Sequence, residues 1–419
     1  MKKYLPDFSD VYQRNAFFLV FETAWAGVFA VVVAFGSVYA IRLGATNSEI
    51  GLLTSMPALL AILISLPLGN FISRRAKPER WTFGSLFMQR AGYLLLVLVP
   101  FITFLAGRQG TAVVALIILI SIPGQVYNIG IWAYYMKIIP STRWVGIFSA
   151  QSFTTALVVG IGTAVVGSAL GLLPFPVNYQ TMITVGVMIS MISFFCFSQA
   201  KVSPNKGKDD GISPMDKEDD TPISLRSLIH LKSDYGRVIL NQVLQYLGIW
   251  TATSLITIYT IKTLQASDAW IGVNASVLLF CQLVGWIIAR WVIKHWGEPT
   301  ILRNSATFPI FQTLLIGLSP SLTPIMLANG LDGLLHPTYS LSHNNLLLKS
   351  IPSGKEHEGI ALFSTINCIG MFICPLLGLA LAKWVGNIRI VIVACGIVSL
   401  LGSLSFVIWP VSSNAVKRY

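Results

Sequence analysis

Lys137-Ile138-Ile139-Pro140-Ser141-Thr142-Arg143 reads KIIPSTR, and 212 residues later Lys349-Ser350-Ile351-Pro352-Ser353-Gly354-Lys355 reads KSIPSGK. Both fit K-x-I-P-S-x-[RK], and each follows a long apolar run. At the same offset Tyr127-Asn128 stands against Tyr339-Ser340. A gap or two later, Gly146 and Phe148-Ser149 stand against Gly359 and Phe363-Ser364. A second pairing sets Glu49-Ile50-Gly51 against Trp270-Ile271-Gly272, with Pro78 against Pro299. Matches at equivalent places in two halves mark an internal repeat, so one architectural unit is expected twice.

Composition identifies the solvent around that unit. The chain has 419 residues, mean hydropathy +0.70, 54% hydrophobic residues and 11% charged ones. Soluble domains carry roughly 25% charged residues. A soluble core of this size could not hide so much apolar surface, so an integral membrane protein is expected. Runs such as 17–41 and 391–409 can each cross a hydrocarbon layer about 30 Å thick. Lipid leaves no partner for an open backbone, so the spans must be helices. Twelve are expected, at 15–41, 48–71, 81–106, 111–138, 143–173, 179–199, 237–263, 269–294, 300–318, 322–348, 357–384 and 388–410. The polar start MKKYLPDFSDVYQRN and the length of the first apolar run point to a retained first helix rather than a signal peptide.

Alternate loops fall on opposite sides of the membrane. With the N-terminus inside, 23 of the 29 Lys and Arg residues fall on the cytoplasmic side, seven of them between 201 and 237, and 5 fall outside. That bias puts both termini in the cytoplasm, and the inner, or plasma, membrane is the expected location. It also explains the net charge of +12 without nucleic acid, since the basic residues serve topology. The long polar segment 201–236 mixes charge with Pro, Gly and Ser and reads as a flexible linker. The expected organisation is a six-helix bundle over 1–200, the linker over 201–236 and a second six-helix bundle over 237–419. The five cysteines (Cys196, Cys281, Cys368, Cys374, Cys395) fall in apolar runs without a pairing pattern and read as buried, inert thiols.

Between spans two and three stands Gly69-Asn70-Phe71-Ile72-Ser73-Arg74-Arg75-Ala76-Lys77-Pro78. With twelve spans, a cytoplasmic N-terminus and a charged middle loop, this stretch resembles the major facilitator superfamily over essentially the whole length. The family pattern there is Gly-x-x-x-Asp-Arg-x-Gly-Arg-Arg. Gly69 and Arg74 match and Lys77 keeps a basic charge, whereas Ser73 replaces the acid and Ala76 the second glycine. The resemblance implies two bundles rocking about a midplane site, with spans one, four, seven and ten lining the cavity. It implies a conformational latch loop at Gly69, Arg74, Arg75 and Lys77, in which Arg74 must use partners other than the missing acid; the alternative is topogenic charge alone. Span five carries Gly160-Ile161-Gly162, Gly167 and Gly171 but lacks the Gly-Pro of the family's drug antiporters, which counts against drug–proton exchange.

Charge inside a membrane marks function or tight pairing, because a charged residue at a helix centre costs about 2.5–3.5 kcal/mol on insertion scales. Glu22, Arg90 and Asp332 are the three such residues. Asp332 and His336 stand one helical turn apart on one face, with Ser340 and His343 extending the stripe. Pro337 cannot donate to the Gly333 carbonyl, which weakens the helix beside Asp332. An ionisable pair at such a point suits solute or proton handling; the alternative is a pair that satisfies itself and fixes packing. Glu22 either carries a proton or binds a basic group, or else pairs with Arg90. Asn128, Trp132, Gln245, Ser340 and His343 are expected solute contacts, and Gln242, Trp250 and Asn367 add further amide and indole groups. Such groups suit a partly polar organic solute, or simple interhelical hydrogen bonding.

Asp332, His336 and Ser340 lie along one helix and cannot converge as a triad. No phosphate loop, metal pattern or redox pattern is present, so neither catalysis nor a cofactor is expected. The expected function is a secondary active transporter of a small organic solute, working by alternating access, proton-coupled as a symporter or antiporter, and monomeric in the bilayer. The alternatives are proton-driven efflux of amphipathic or cationic drugs, and a non-transporting membrane receptor on the same fold.

Overall fold

The computed structural model describes residues 10–73, 78–102, 107–138, 144–199, 233–305, 308–351 and 356–410. Every regular element among them is helical. By contacts the chain divides into two compact units, one formed by 1–45 with 63–221 and the other by 46–62 with 222–419.

The first unit is built on α1 (Val11–Arg42), the second half of α2 (Asn47–Ser73), α3 (Pro78–Leu98), α4 (Gln109–Ile138), α5 (Trp144–Ala169), α6 (Val177–Ser190) and α7 (Ile192–Gln199). Asp10 starts α1 by accepting a hydrogen bond from the Tyr12 N–H at 2.9 Å. Helix α1 packs on α4, α5, α6 and α7, and α3 packs on α4 and α6. Gly162 lets α1 and α5 approach, because a Cβ there would lie 2.8 Å from Val31 Cγ2. A core of Leu19, Leu86, Ile131, Tyr134, Ile138 and Phe197 fills the space between α1, α3, α4 and α7.

The second unit contains the first half of α2, whose start is held by a reciprocal cap. The Thr46 N–H donates to Glu49 Oε2 at 2.6 Å and the Glu49 N–H to Thr46 Oγ1 at 3.3 Å. Its other elements are α8 (Asp234–Ile258), a π-helical turn (Tyr259–Thr263), α9 (Asp268–Trp296), α10 (Glu298–Ser305), α11 (Phe308–Leu318), α12 (Leu322–Ser350), α13 (Glu356–Val385), α14 (Ile388–Ser403) and the short α15 (Ser405–Ile408). Ser233, Ser267 and Asn387 cap α8, α9 and α14 through their side chains. Gly297 and Gly386, both at φ +73°, end α9 and α13 in a conformation that side chains with a Cβ resist. Helix α8 packs on α12, α13 and α14, and α9 runs along α12.

Within the described residues the expected spans are helical, the one at 300–318 as two helices on either side of 306–307, which lie outside those residues. The span expected to reach 106 ends its α-helix at Leu98, followed by a 3-10 turn over Val99–Phe101 with Pro100 inside it. The span at 179–199 is interrupted at Met191. There the Phe194 N–H bonds the Met191 carbonyl rather than that of Ser190, which accepts from the Arg90 guanidinium instead. The span at 388–410 breaks at Leu404.

Nine helices among the described residues are long and apolar enough to cross a membrane. Helices α8 and α12 are long enough but are not among the nine. These two carry Gln242, Gln245, Asp332, His336 and His343, so the helices that fall short in apolarity are those with the polar stripes.

Candidate functional site

Helix α12 runs unbroken from Leu322 to Ser350 with Pro337 inside it. The Gly333 carbonyl, which Pro337 cannot engage, faces α9 at Gly285, where a Cβ would come within 2.6 Å of it. One turn carries Asp332 and His336, whose Oδ1 and Nδ1 lie 3.9 Å apart. The Asp332 side chain is 14% exposed and that of His336 30%, so the pair is half-buried rather than sealed. Tyr246 on α8 lies within electrostatic reach of Asp332. Asn329, one turn before Asp332, is held in a chain of amides: Gln312 donates to it at 2.7 Å and it donates to Asn274 at 2.9 Å. That chain fixes α12 against α9 and α11.

Further along α12, a cavity of about 340 Å³ opens within the second unit. Helix α8 contributes Gln242, Tyr246 and Trp250, spaced four apart and so on one face. Helix α13 contributes Phe363, Asn367 and Met371 with the same spacing. Tyr339, Ser340, His343 and Asn344 of α12 close the third side. The Tyr339 hydroxyl donates to Gln245 Oε1 beneath the wall, and Gln242 Nε2 donates to Asn367 Oδ1 at 3.3 Å. His343 is stacked on Tyr339, with ring centroids 5.8 Å apart.

The structure thus brings Asp332, His336, Ser340 and His343 onto one helix beside the cavity, and puts Gln245 behind Tyr339 rather than at the surface of the cavity. Asn128 is exposed on α4 in the first unit. The side chain of Trp132 lies outside the described residues, as do Arg74, Arg75 and Lys77; Gly69 stands in α2.

Glu22 has a different setting. It is 2% exposed inside the first unit, with Oε1 4.0 Å from Arg90 Nη2. Arg90 donates to the Ser190 carbonyl and to Ser193 Oγ, and lies over the Phe29 and Phe194 rings at 5.6 and 5.7 Å. Tyr127 of α4 is within electrostatic reach of both charges. Glu22 Oε1 and the Trp25 indole N–H one turn on are buried without a hydrogen-bond partner. The arrangement holds one charge pair where lipid cannot reach it.

Two features escaped the sequence pattern. The aromatic and amide wall draws on three segments, 242–250, 339–344 and 363–371, that no local spacing joins. The repeat also extends to the first helix of each half: Tyr12, Arg14 and Glu22 match Tyr235, Arg237 and Gln245 at an offset of 223, after the caps Asp10 and Ser233. Gln245 is therefore the uncharged counterpart of Glu22, and Tyr339 that of Tyr127.

Residues 238–418 match the family model of the Major Facilitator Superfamily. That match covers less than half of the chain, and the helical fold is the one the solved structures below share. Among solved structures, a bacterial homologue of the iron transporter ferroportin in the inward-facing state superimposes with a TM-score of 0.69 at 13% identity, over 96% of this chain and 99% of that one. A POT family transporter in complex with a thioalcohol-conjugated peptide gives 0.69 at 14% identity, over 96% of each chain. A bacterial homologue of the human lysosomal transporter Spinster, inward-facing and unoccupied, gives 0.67 at 10% identity, over 97% of this chain and 100% of that one. At these identities the shared property is the fold. No curated protein gives a sequence match.

Proposed function

We propose that this protein is a proton-coupled secondary transporter that carries a small organic solute across the cytoplasmic membrane by alternating access, as a monomer with both termini in the cytoplasm. The observation that carries the proposal is the half-buried Asp332–His336 pair, 3.9 Å apart, on the same helix as the cavity-lining Tyr339, Ser340 and His343. Imidazole changes charge near neutral pH, and a carboxylate one turn away couples that change to the helix that lines the cavity. Glu22 is a second proton-handling group, and its partner Arg90 would be left unmatched on protonation. Ser340 and His343 contact the solute, with Asn128 and Trp132 contributing from the first unit, and the segment of Gly69, Arg74, Arg75 and Lys77 acts in the conformational change. Transporters named for nucleosides, for peptides and for metal share this fold, which supports a solute carrier without choosing the solute. The described cavity lining holds no carboxylate, which favours an uncharged organic solute over efflux of cationic drugs.

Melting curves of the purified protein with a metabolite panel at pH 6 and pH 8 test this, because a ligand of the native state raises the melting temperature. A stabilising metabolite should shift the wild type by several degrees more at one pH than at the other. Asp332→Asn should respond equally at both. If the pH dependence persists in Asp332→Asn, protons are bound elsewhere and the assignment of Asp332 is wrong.

A further inference from the structure

The cavity of the second unit has a chemistry that narrows the solute, on the reading that the protein is a transporter. Its described walls carry aromatic rings on all three sides: Tyr246 and Trp250 from α8, Tyr339 with His343 from α12, and Phe363 from α13. The Tyr246 and Trp250 rings are 5.5 Å apart and tilted by 50°, so they form a continuous apolar surface rather than isolated contacts. A volume of about 340 Å³ lies at the lower end of small-molecule sites.

Beside the tyrosine and Ser340 hydroxyls, the polar groups in that wall are uncharged amides and one imidazole. Gln242 and Asn367 use one N–H and one carbonyl on each other, at 3.3 Å. Each amide has two donor hydrogens and an acceptor oxygen, so whichever way the two are turned, the pair keeps a donor and an acceptor for a ligand. His343 lines the cavity at 3% exposure, with its ring stacked on Tyr339 at 5.8 Å.

We infer that this cavity is the solute site, and that the solute is a neutral planar heterocycle with an amide-type edge, a lactam or carboxamide. Its ring lies against Trp250 and Tyr246, and its adjacent donor and acceptor meet the Gln242–Asn367 pair. A formally charged ring is disfavoured, since no described wall residue offers a countercharge and desolvating an ion without one is costly.

Calorimetric titration of the purified full-length protein tests the inference with four probes of similar size: uracil and nicotinamide as neutral amide-edged rings, nicotinate as an anion and benzylamine as a cation. The neutral probes should bind at least tenfold more tightly than the charged ones. Gln242→Met should weaken the neutral probes about tenfold, the equivalent of one good hydrogen bond. Melting curves without ligand identify any variant that fails to fold, and Asn367→Leu then takes the place of Gln242→Met. Equal binding of charged and neutral probes, no binding of either neutral probe, or unchanged binding in the amide variants would overturn the site. Neutral-probe binding that needs Gln242, in a protein that moves no solute across vesicles, would leave the site standing and remove the transport reading instead.

Discussion

Arg90 ties together several parts of the first unit. It is 1% exposed, faces Glu22 across 4.0 Å, draws the Ser190 carbonyl out of its helix and lies over two phenylalanine rings. Removing one member of a buried ion pair leaves a charge without a partner and costs about 3–5 kcal/mol. Arg90→Met should therefore destabilise the protein by that order in denaturant unfolding. Glu22→Gln in the same chain should recover about 1–3 kcal/mol, because neighbouring sites are not additive. Simple additivity of the two variants would show that the charges do not depend on each other. The sequence makes Arg90 visible as a charge in a span and even suggests Glu22 as its partner. It does not reveal the break at Met191, where the Ser190 carbonyl accepts from a guanidinium 100 residues away in sequence.

At the scale of the element, glycines decide which helices touch and which side chains face the cavity. A Cβ at Gly248 would lie 2.0 Å from the Cys395 carbonyl oxygen, a backbone atom of α14. A Cβ at Gly370 would lie 2.1 Å from Trp250 Cζ3, the far end of a side chain that can turn. The two alanine variants should part company. Each gains about 1 kcal/mol of helix propensity, but Gly248→Ala must push α8 from α14, at a cost of about 1–3 kcal/mol or more, and should lower the melting temperature. Gly370→Ala should keep its melting temperature within about 2 °C and instead move the indole into the cavity, weakening ligand binding several-fold. Loss of stability in Gly370→Ala with binding intact would contradict the role given to Trp250. Helix positions were legible because a bilayer imposes both length and apolarity on every span. The shortfall in apolarity of α8 and α12 was legible too, as Gln242, Gln245, Asp332 and His336. The cavity was not, since its walls meet only after three helices pack, and Gly370 gives no sign in sequence that an indole lies on it.

Across the whole molecule the repeat is the feature that the sequence carries most openly. KIIPSTR and KSIPSGK each follow a helix that presents a tyrosine to the interior, Tyr127 in one unit and Tyr339 in the other. The residues facing those tyrosines differ, Glu22 against Gln245, so the same frame holds a charge in one half and an amide in the other. In the function proposed here, one unit handles charge at Glu22, the other binds a neutral solute, and Asp332 with His336 links solute to proton. Uptake by proteoliposomes tests that account most directly, using a labelled form of whichever metabolite most stabilises the purified protein. With one-to-one coupling, a gradient of about one pH unit supports about tenfold accumulation, since 1.4 kcal/mol is a factor of ten. The wild type should concentrate the label, lose the concentration when a protonophore collapses the gradient, and, as Asp332→Asn, still equilibrate the label without concentrating it. Accumulation that survives the protonophore, or that Asp332→Asn performs as well as the wild type, would contradict proton coupling through this helix.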